Sequence, residues 1–235
     1  MTLAEVMFEL ESLGNERIKK QTIGRGAQEP LYGVATGAMK PLLKKIKKDQ
    51  VLAEELYATG NYDAMYFAGM IADPAAMTEA DFDRWMESAY FPMLSDFVVA
   101  VTLAEADCAQ SVADRWMDDS RELHKSAGWA CYEWLLGWKP DSAFEKEKIR
   151  ALLHRAASTI HTEPDHVRYA MNNFVIAVGV SYIPLHEEAM QTAEEMGEVM
   201  ISSPKGACAL TSAKDAIQTA KDKGRIGFKR KAVRC

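Results

Sequence analysis

Alternating runs of β-branched residues, the mark of half-buried strands, are nearly absent from this chain. Only Val98–Thr102 and Val175–Val180 come close, and both sit inside longer apolar stretches flanked by helix signals, so both are expected to be buried helices. A chain of 235 residues without strands must bury its apolar surface helix against helix. Glycine and proline punctuate it, from Gly14 and Gly24 through Gly60, Pro92 and Pro164 to Pro204 and Gly224. The segments between them run mostly to roughly ten to twenty residues, ordinary helix lengths. Thr78 followed by Asp81 reads as a capping box. Asp141–Glu145 and Thr162–Asp165 read as two further helix starts. The expectation is an all-α protein of about a dozen helices, with any strand confined to Val199–Ile201, where helix propensity falls.

Small residues recur at four-residue spacing in Asn61–Ala72, Ser95–Ala104, Lys125–Cys131 and Tyr169–Gly179. Ala64 to Ala100 spans 36 residues and Ala127 to Ala170 spans 43, intervals that fit helix-pair repeats of HEAT or armadillo type. The plain alternative is a non-repetitive bundle. Residues 1–200 are taken as the repeat domain. Residues 201–235 are taken as a C-terminal extension: a helix over 211–223 ended by Gly224, then an extended basic tail with Phe228 anchoring it to the body.

Charge divides the chain. The net charge is −6, yet residues 221–235 carry seven basic side chains against Asp222 alone, and residues 1–48 carry nine against five acids. An acidic middle lies between two basic ends, an asymmetry that bears on partners. Lys40, Lys44, Lys45, Lys47 and Lys48 precede the next acid, Asp49. Leu42, Leu43 and Ile46 form the apolar face of the same segment, leaving a basic face suited to anions. In the tail, Lys229, Arg230 and Lys231 follow Phe228 with glycines interleaved, a pattern that can track a phosphate backbone and stack a base. Trp116, Trp129, Trp134 and Trp138 are read chiefly as core, with base stacking as the alternative for one of them.

Other chemistries lack their motifs. No phosphate-binding glycine loop, dinucleotide turn or nucleophile elbow is present, and His154, His161, His166 and His186 lack metal-ligand spacing, so no cofactor, nucleotide or metal is expected. No apolar run of about 18 residues suggests a membrane span. The N-terminus lacks the basic and apolar regions of a secretory signal. Cys108, Cys131, Cys208 and Cys235, without CxxC spacing, read as reduced thiols in a cytoplasmic protein.

The stretch Leu31–Leu42, followed by Leu52–Tyr57, Asn61–Ala64 and Met77–Trp85, resembles the AlkD-like DNA alkylation repair family over about residues 10–200, through the order and spacing of these segments. The resemblance implies a right-handed α-solenoid of HEAT-like repeats holding duplex or branched DNA, whose active members excise N3- and N7-alkylated purines. It matches the family's catalytic acid to Asp96. Pro92 stands where active relatives keep a tryptophan, with Tyr90 and Phe91 beside it. Lys125 lies next to the position of a DNA-contacting arginine, at Ser126. Asn173 stands in place of a second tryptophan, next to Asn172, and Trp129 completes the expected cleft. Cleaving the bond to a cationic alkylpurine needs a carboxylate near the developing oxocarbenium charge and aromatic faces around it. Asp96 is the carboxylate offered; its plain alternative is a helix N-cap or first-turn acid. Three readings stay open: an alkylpurine DNA glycosylase, a non-catalytic binder of DNA structures, and a helical scaffold for a protein partner.

Overall fold

The computed structural model describes residues 1–203 and 206–234, so Pro204, Lys205 and Cys235 lie outside the described residues. The chain forms two compact units, Met1–Cys108 with Arg234 and Ala109–Val233. Compactness therefore divides the chain at Cys108, not at residue 200. The extension after residue 200 packs within the second unit as far as Val233, and its helix lies against two others.

The first unit contains α1 (Leu3–Ser12), α2 (Glu16–Ile23), α3 (Thr36–Ile46), α4 (Gln50–Ala58), α5 (Tyr62–Ile71), α6 (Glu79–Ser88), α7 (Pro92–Leu94) and α8 (Ala100–Leu103), the last two joined by a π-helical turn at Ser95–Val99. The Thr78–Asp81 capping box forms as expected, and Thr2 with Glu5 builds another. Asn15, Asp49 and Asn61 cap α2, α4 and α5 with their side chains. The small residues work by contact. A Cβ on Gly69 would meet Val98 Cγ1 at 2.6 Å, so glycine is what lets α5 approach the helix behind it. The buried Asp63 carboxylate accepts the backbone N–H groups of Tyr32, Gly33 and Val34 at 2.6–2.9 Å. It thereby ties the turn before α3 to α5.

The second unit contains α9 (Ala109–Met117), α10 (Glu122–Trp138), α11 (Lys146–Thr159), α12 (Asp165–Ser181), α13 (His186–Met196) and α14 (Ala213–Asp222). α10 packs against both α9 and α12 around Trp116, Trp129, Tyr132 and Phe174. Gly128 allows this approach, since a Cβ there would lie 2.7 Å from the Ala113 carbonyl. Two helix starts differ from expectation. Asp141–Ala143 is a 3-10 turn and α11 begins at Lys146. Thr162 ends another 3-10 turn, and α12 begins at Asp165 behind Pro164. One strand, β1 (Met200–Ser203), forms about where expected, but strand is not confined there: β1 pairs antiparallel with β2 (Gly206–Ala209), which supplies the backbone partner a lone strand lacks. Ser212 caps α14, and Gly224 follows it at φ 62°. Val98–Thr102 and Val175–Val180 are helical and lie mainly in the core. Cys108, Cys131 and Cys208 are in no disulfide among the described residues. Among the described residues, no helix is long and apolar enough to cross a membrane.

Candidate functional site

The first candidate surface follows from how α3 ends. Met39 and Leu42 are buried and hold the helix to the core. Lys40, Lys44 and Lys45 project from its exposed side. The helix stops at Ile46, and Lys47 adopts φ 65°, so Lys47 and Lys48 lie on the turn beyond it rather than on the helical face the spacing suggested. Lys48 pairs with Asp73 at 3.2 Å. Lys40, Lys44, Lys45 and Lys47 make no ion pair among the described residues. Four exposed, uncompensated ammonium groups within eight residues are costly neighbours with no fold-level return.

The second concerns Asp96. It lies five residues into the helical run that starts at Pro92, inside the π turn, and is 4% exposed. It lies inside the run and not at an N-cap position, but it is the acid in the first turn of the π segment, so the first-turn form of the plain alternative stands. Ser95 Oγ donates to Asp96 Oδ1 at 2.7 Å. π turns recur at functional positions because they widen a helix by one residue. Of the aromatic groups expected around it, Phe91 is buried under Gly26, and Tyr90 is half-buried and donates its hydroxyl to the Gln28 carbonyl. Tyr62, whose hydroxyl burial pushes well above its ordinary range, stacks at a tilt with Phe91 and Tyr66. These rings pack on one another.

The third lies in the second unit. A cleft of about 340 Å³ opens between α10, α12 and the segment after α14, lined by Glu133, Asn173, Val180, Arg225, Phe228 and Arg230. Backbone bonds hold its outer wall. Gly227 N–H donates to the Val180 carbonyl at 2.7 Å, and Arg230 N–H to the Gly137 carbonyl at 2.7 Å. Gly227 has φ 80°, and a Cβ there would strike Ile183 at 2.7 Å. The Arg230 guanidinium lies 4.6 Å over the Trp134 ring. The tail is thus ordered by glycine, arginine and main-chain contacts. Phe228 does not anchor it: the ring is 58% exposed.

The remaining expected residues separate. Asn173 lines this cleft, whereas Asn172 is buried and donates to the Thr211 carbonyl. Trp129 is fully buried against Phe174, with Arg155 over its ring, and belongs to the core. Lys125 is held by Glu163 at 2.9 Å. Lys229 donates to the Leu136 carbonyl at 2.7 Å and pairs with Asp141 at 2.8 Å. Lys231 is exposed. Arg225 was visible only as one cation of the basic run, and Glu133 was not singled out from sequence. Among the described residues, no group of three His, Cys, Asp or Glu could hold a metal ion.

Comparison with known proteins adds three findings. Residues 6–216 match the family described as DNA alkylation repair enzyme. Uncharacterized protein Lin0241 of Listeria innocua and uncharacterized protein Lmo0209 of Listeria monocytogenes are each 28% identical over 229 residues, covering 95% of this chain and 99% of theirs. A solved structure, described as a new family of proteins related to the HEAT-like repeat DNA glycosylases with affinity for branched DNA structures, is 57% identical, covers 100% of both chains and superposes with a TM-score of 0.95. The helical pairs are therefore HEAT-like repeats.

Proposed function

The chain belongs to the family of DNA alkylation repair enzymes, and on that premise we propose that it binds DNA, branched structures ahead of plain duplex, and does not excise bases. The observation that carries the reading is whole-length likeness, at 57% identity, to a protein with affinity for branched DNA structures. The uncompensated lysines of α3 support it, because phosphates are the partner that repays four adjacent ammonium groups by releasing counterions. Lys231, Arg225 and Arg230 of the second unit supply further cations. The absence of catalysis is argued from Asp96. A carboxylate that stabilises an oxocarbenium ion must reach the sugar, and this one is 4% exposed, with Pro92 and Asn173 where active relatives keep aromatic faces. The π turn around Asp96 is the one observation favouring the glycosylase reading.

One set of measurements separates the readings. Binding of a four-way junction and of a duplex of equal length is compared across salt, and release of 7-methylguanine is followed from alkylated DNA. Tighter, salt-dependent binding to the junction with no base release is expected. Base release that Asp96→Asn abolishes would establish the glycosylase instead. No binding to either DNA at low salt would leave the protein-scaffold reading.

A further inference from the structure

We infer that the cleft beside Phe228 receives an unpaired nucleotide of branched DNA, with the base on the Phe228 ring and the phosphate toward Arg225 and Arg230. This deepens the DNA-binding reading above and rests on it. Phe228 is the starting observation. Phe67, Phe82, Phe91, Phe144 and Phe174 are all buried; Phe8 on α1 is 71% exposed and Phe228 is 58% exposed, but of these two only Phe228 lines a cleft that also holds arginines. Its exposure is not looseness, because the loop carrying it is bonded on both sides: Gly227 to Val180, Phe228 N–H to the Arg225 carbonyl, and Arg230 to Gly137. The fold thus holds an aromatic face open to water at a hydrophobic cost, on a backbone that cannot swing it inward.

The surroundings match one nucleotide. The cleft of about 340 Å³ lies at the small end of the range for small-molecule sites. Its wall from α12 is apolar at Ile176, Ala177 and Val180, with the Asn173 amide beside them, and Glu133 comes from α10. Arg225 makes no ion pair among the described residues and lines the same cleft. Arg230 is positioned by Trp134 through its flat face, which leaves its N–H edge available for a phosphate. An aromatic platform beside cations is how single strands are gripped without reading sequence. Bases inside an intact duplex are stacked and cannot reach such a ring, whereas a branch point supplies frayed or unpaired ones.

The test uses the full chain and a forked DNA carrying 2-aminopurine in the unpaired arm next to the junction, beside a plain duplex of the same length. The wild type should quench 2-aminopurine as the base stacks. Phe228→Ala should abolish the quench and weaken fork binding about tenfold, the range of one lost base–aromatic stack, while duplex binding changes less than twofold. Phe228→Trp should restore both. Arg225→Gln should flatten the log–log salt dependence on the fork by about 0.7, one single-strand phosphate contact. Unchanged quenching and affinity in Phe228→Ala, or an equal loss on fork and duplex, would overturn the inference and leave branched-DNA binding standing. A wild type that binds no DNA would remove both readings together. Phe228 is exposed, so an unaltered melting temperature for the variants establishes that the losses are not unfolding.

Discussion

The lysine cluster at 40–48 and the basic run at 221–234 both crowd five or more cations into a short span, and as charge they look alike. Their side chains are employed differently. At the first site Lys48 alone makes an ion pair among the described residues, with Asp73; Lys45 acts on Glu5 through charge only, without an ion pair. In the second run, Lys221 meets Glu187, Lys229 meets Asp141 and the Leu136 carbonyl, and Arg230 covers Trp134. Arg234, in the first unit, bonds Glu105 and the carbonyls of Gly69 and Ala72. The lysines form an electrostatic surface; most of the tail's cations are fastenings. The choice of residue follows the job. Arginine dominates where a flat, many-donor group must satisfy carbonyls and a ring at once, and lysine where a mobile point charge suffices.

Replacing Lys40, Lys44, Lys45 and Lys47 together with Gln breaks the comparison most sharply. Each phosphate contact contributes about 0.9 to the log–log salt slope, so four account for about a hundredfold of the affinity lost between about 50 and 200 mM salt. The variant should show that flatter slope in a binding titration, with a melting temperature close to wild type, because no native contact is removed. A full wild-type slope would place the interface elsewhere.

Arg234→Ala should do the reverse. The Arg234 and Glu105 side chains are only 12% and 20% exposed. Removing the guanidinium strands a carboxylate and two carbonyls, costing about 2–3 kcal/mol. That corresponds to a fall of roughly 5–10 °C in melting temperature, while DNA affinity at a temperature where the variant is folded stays near wild type.

These two sites also mark what the sequence could disclose. Helical class, the Thr78 capping box, the helix before Gly224 and the first strand of the hairpin are all written in local signals a few residues long. Arg234 is not, because its partners stand 129–165 positions away and no local pattern encodes them. Lys47 left the helical face because the chain turns to positive φ there, which residue spacing does not report. Phe228 broke the rule that large apolar side chains go inside, because the bond from Gly227 to Val180 sets the loop before the ring has a choice. The candidate site was half legible for the same reason. Its cations and Asn173 were visible as residue types, while the cleft they share is made by packing between α10, α12 and a segment some fifty residues further on.

A smaller effect distinguishes neighbours within the tail. Lys229→Gln removes a held ammonium and should cost about 0.5–1 kcal/mol of stability, with little change in DNA affinity. Lys231→Gln removes an exposed one and should leave stability alone while lowering the salt slope by about 0.7–0.9. Equal behaviour of the two in paired melting and binding experiments would erase the distinction between fastening and surface charge.

The smallest expected effect is a pH dependence of the Arg234 fastening. Burial alone would raise the Glu105 carboxyl, but hydrogen bonds and charge from Arg234 outweigh it and hold the group below its ordinary value of 4.5. A carboxyl whose folded value is depressed binds fewer protons in the native state than in the unfolded one. Its stabilising contribution is therefore complete above about 4.5 and disappears as pH falls through the lowered folded value. Glu105→Gln keeps the size of the side chain and removes this titration. The variant should melt below wild type at neutral pH, and the gap between them should narrow as pH is taken below 4.5. A gap that stays constant down to acid denaturation would mean that Arg234 is held by the Gly69 and Ala72 carbonyls alone, and that Glu105 adds no ionic stabilisation.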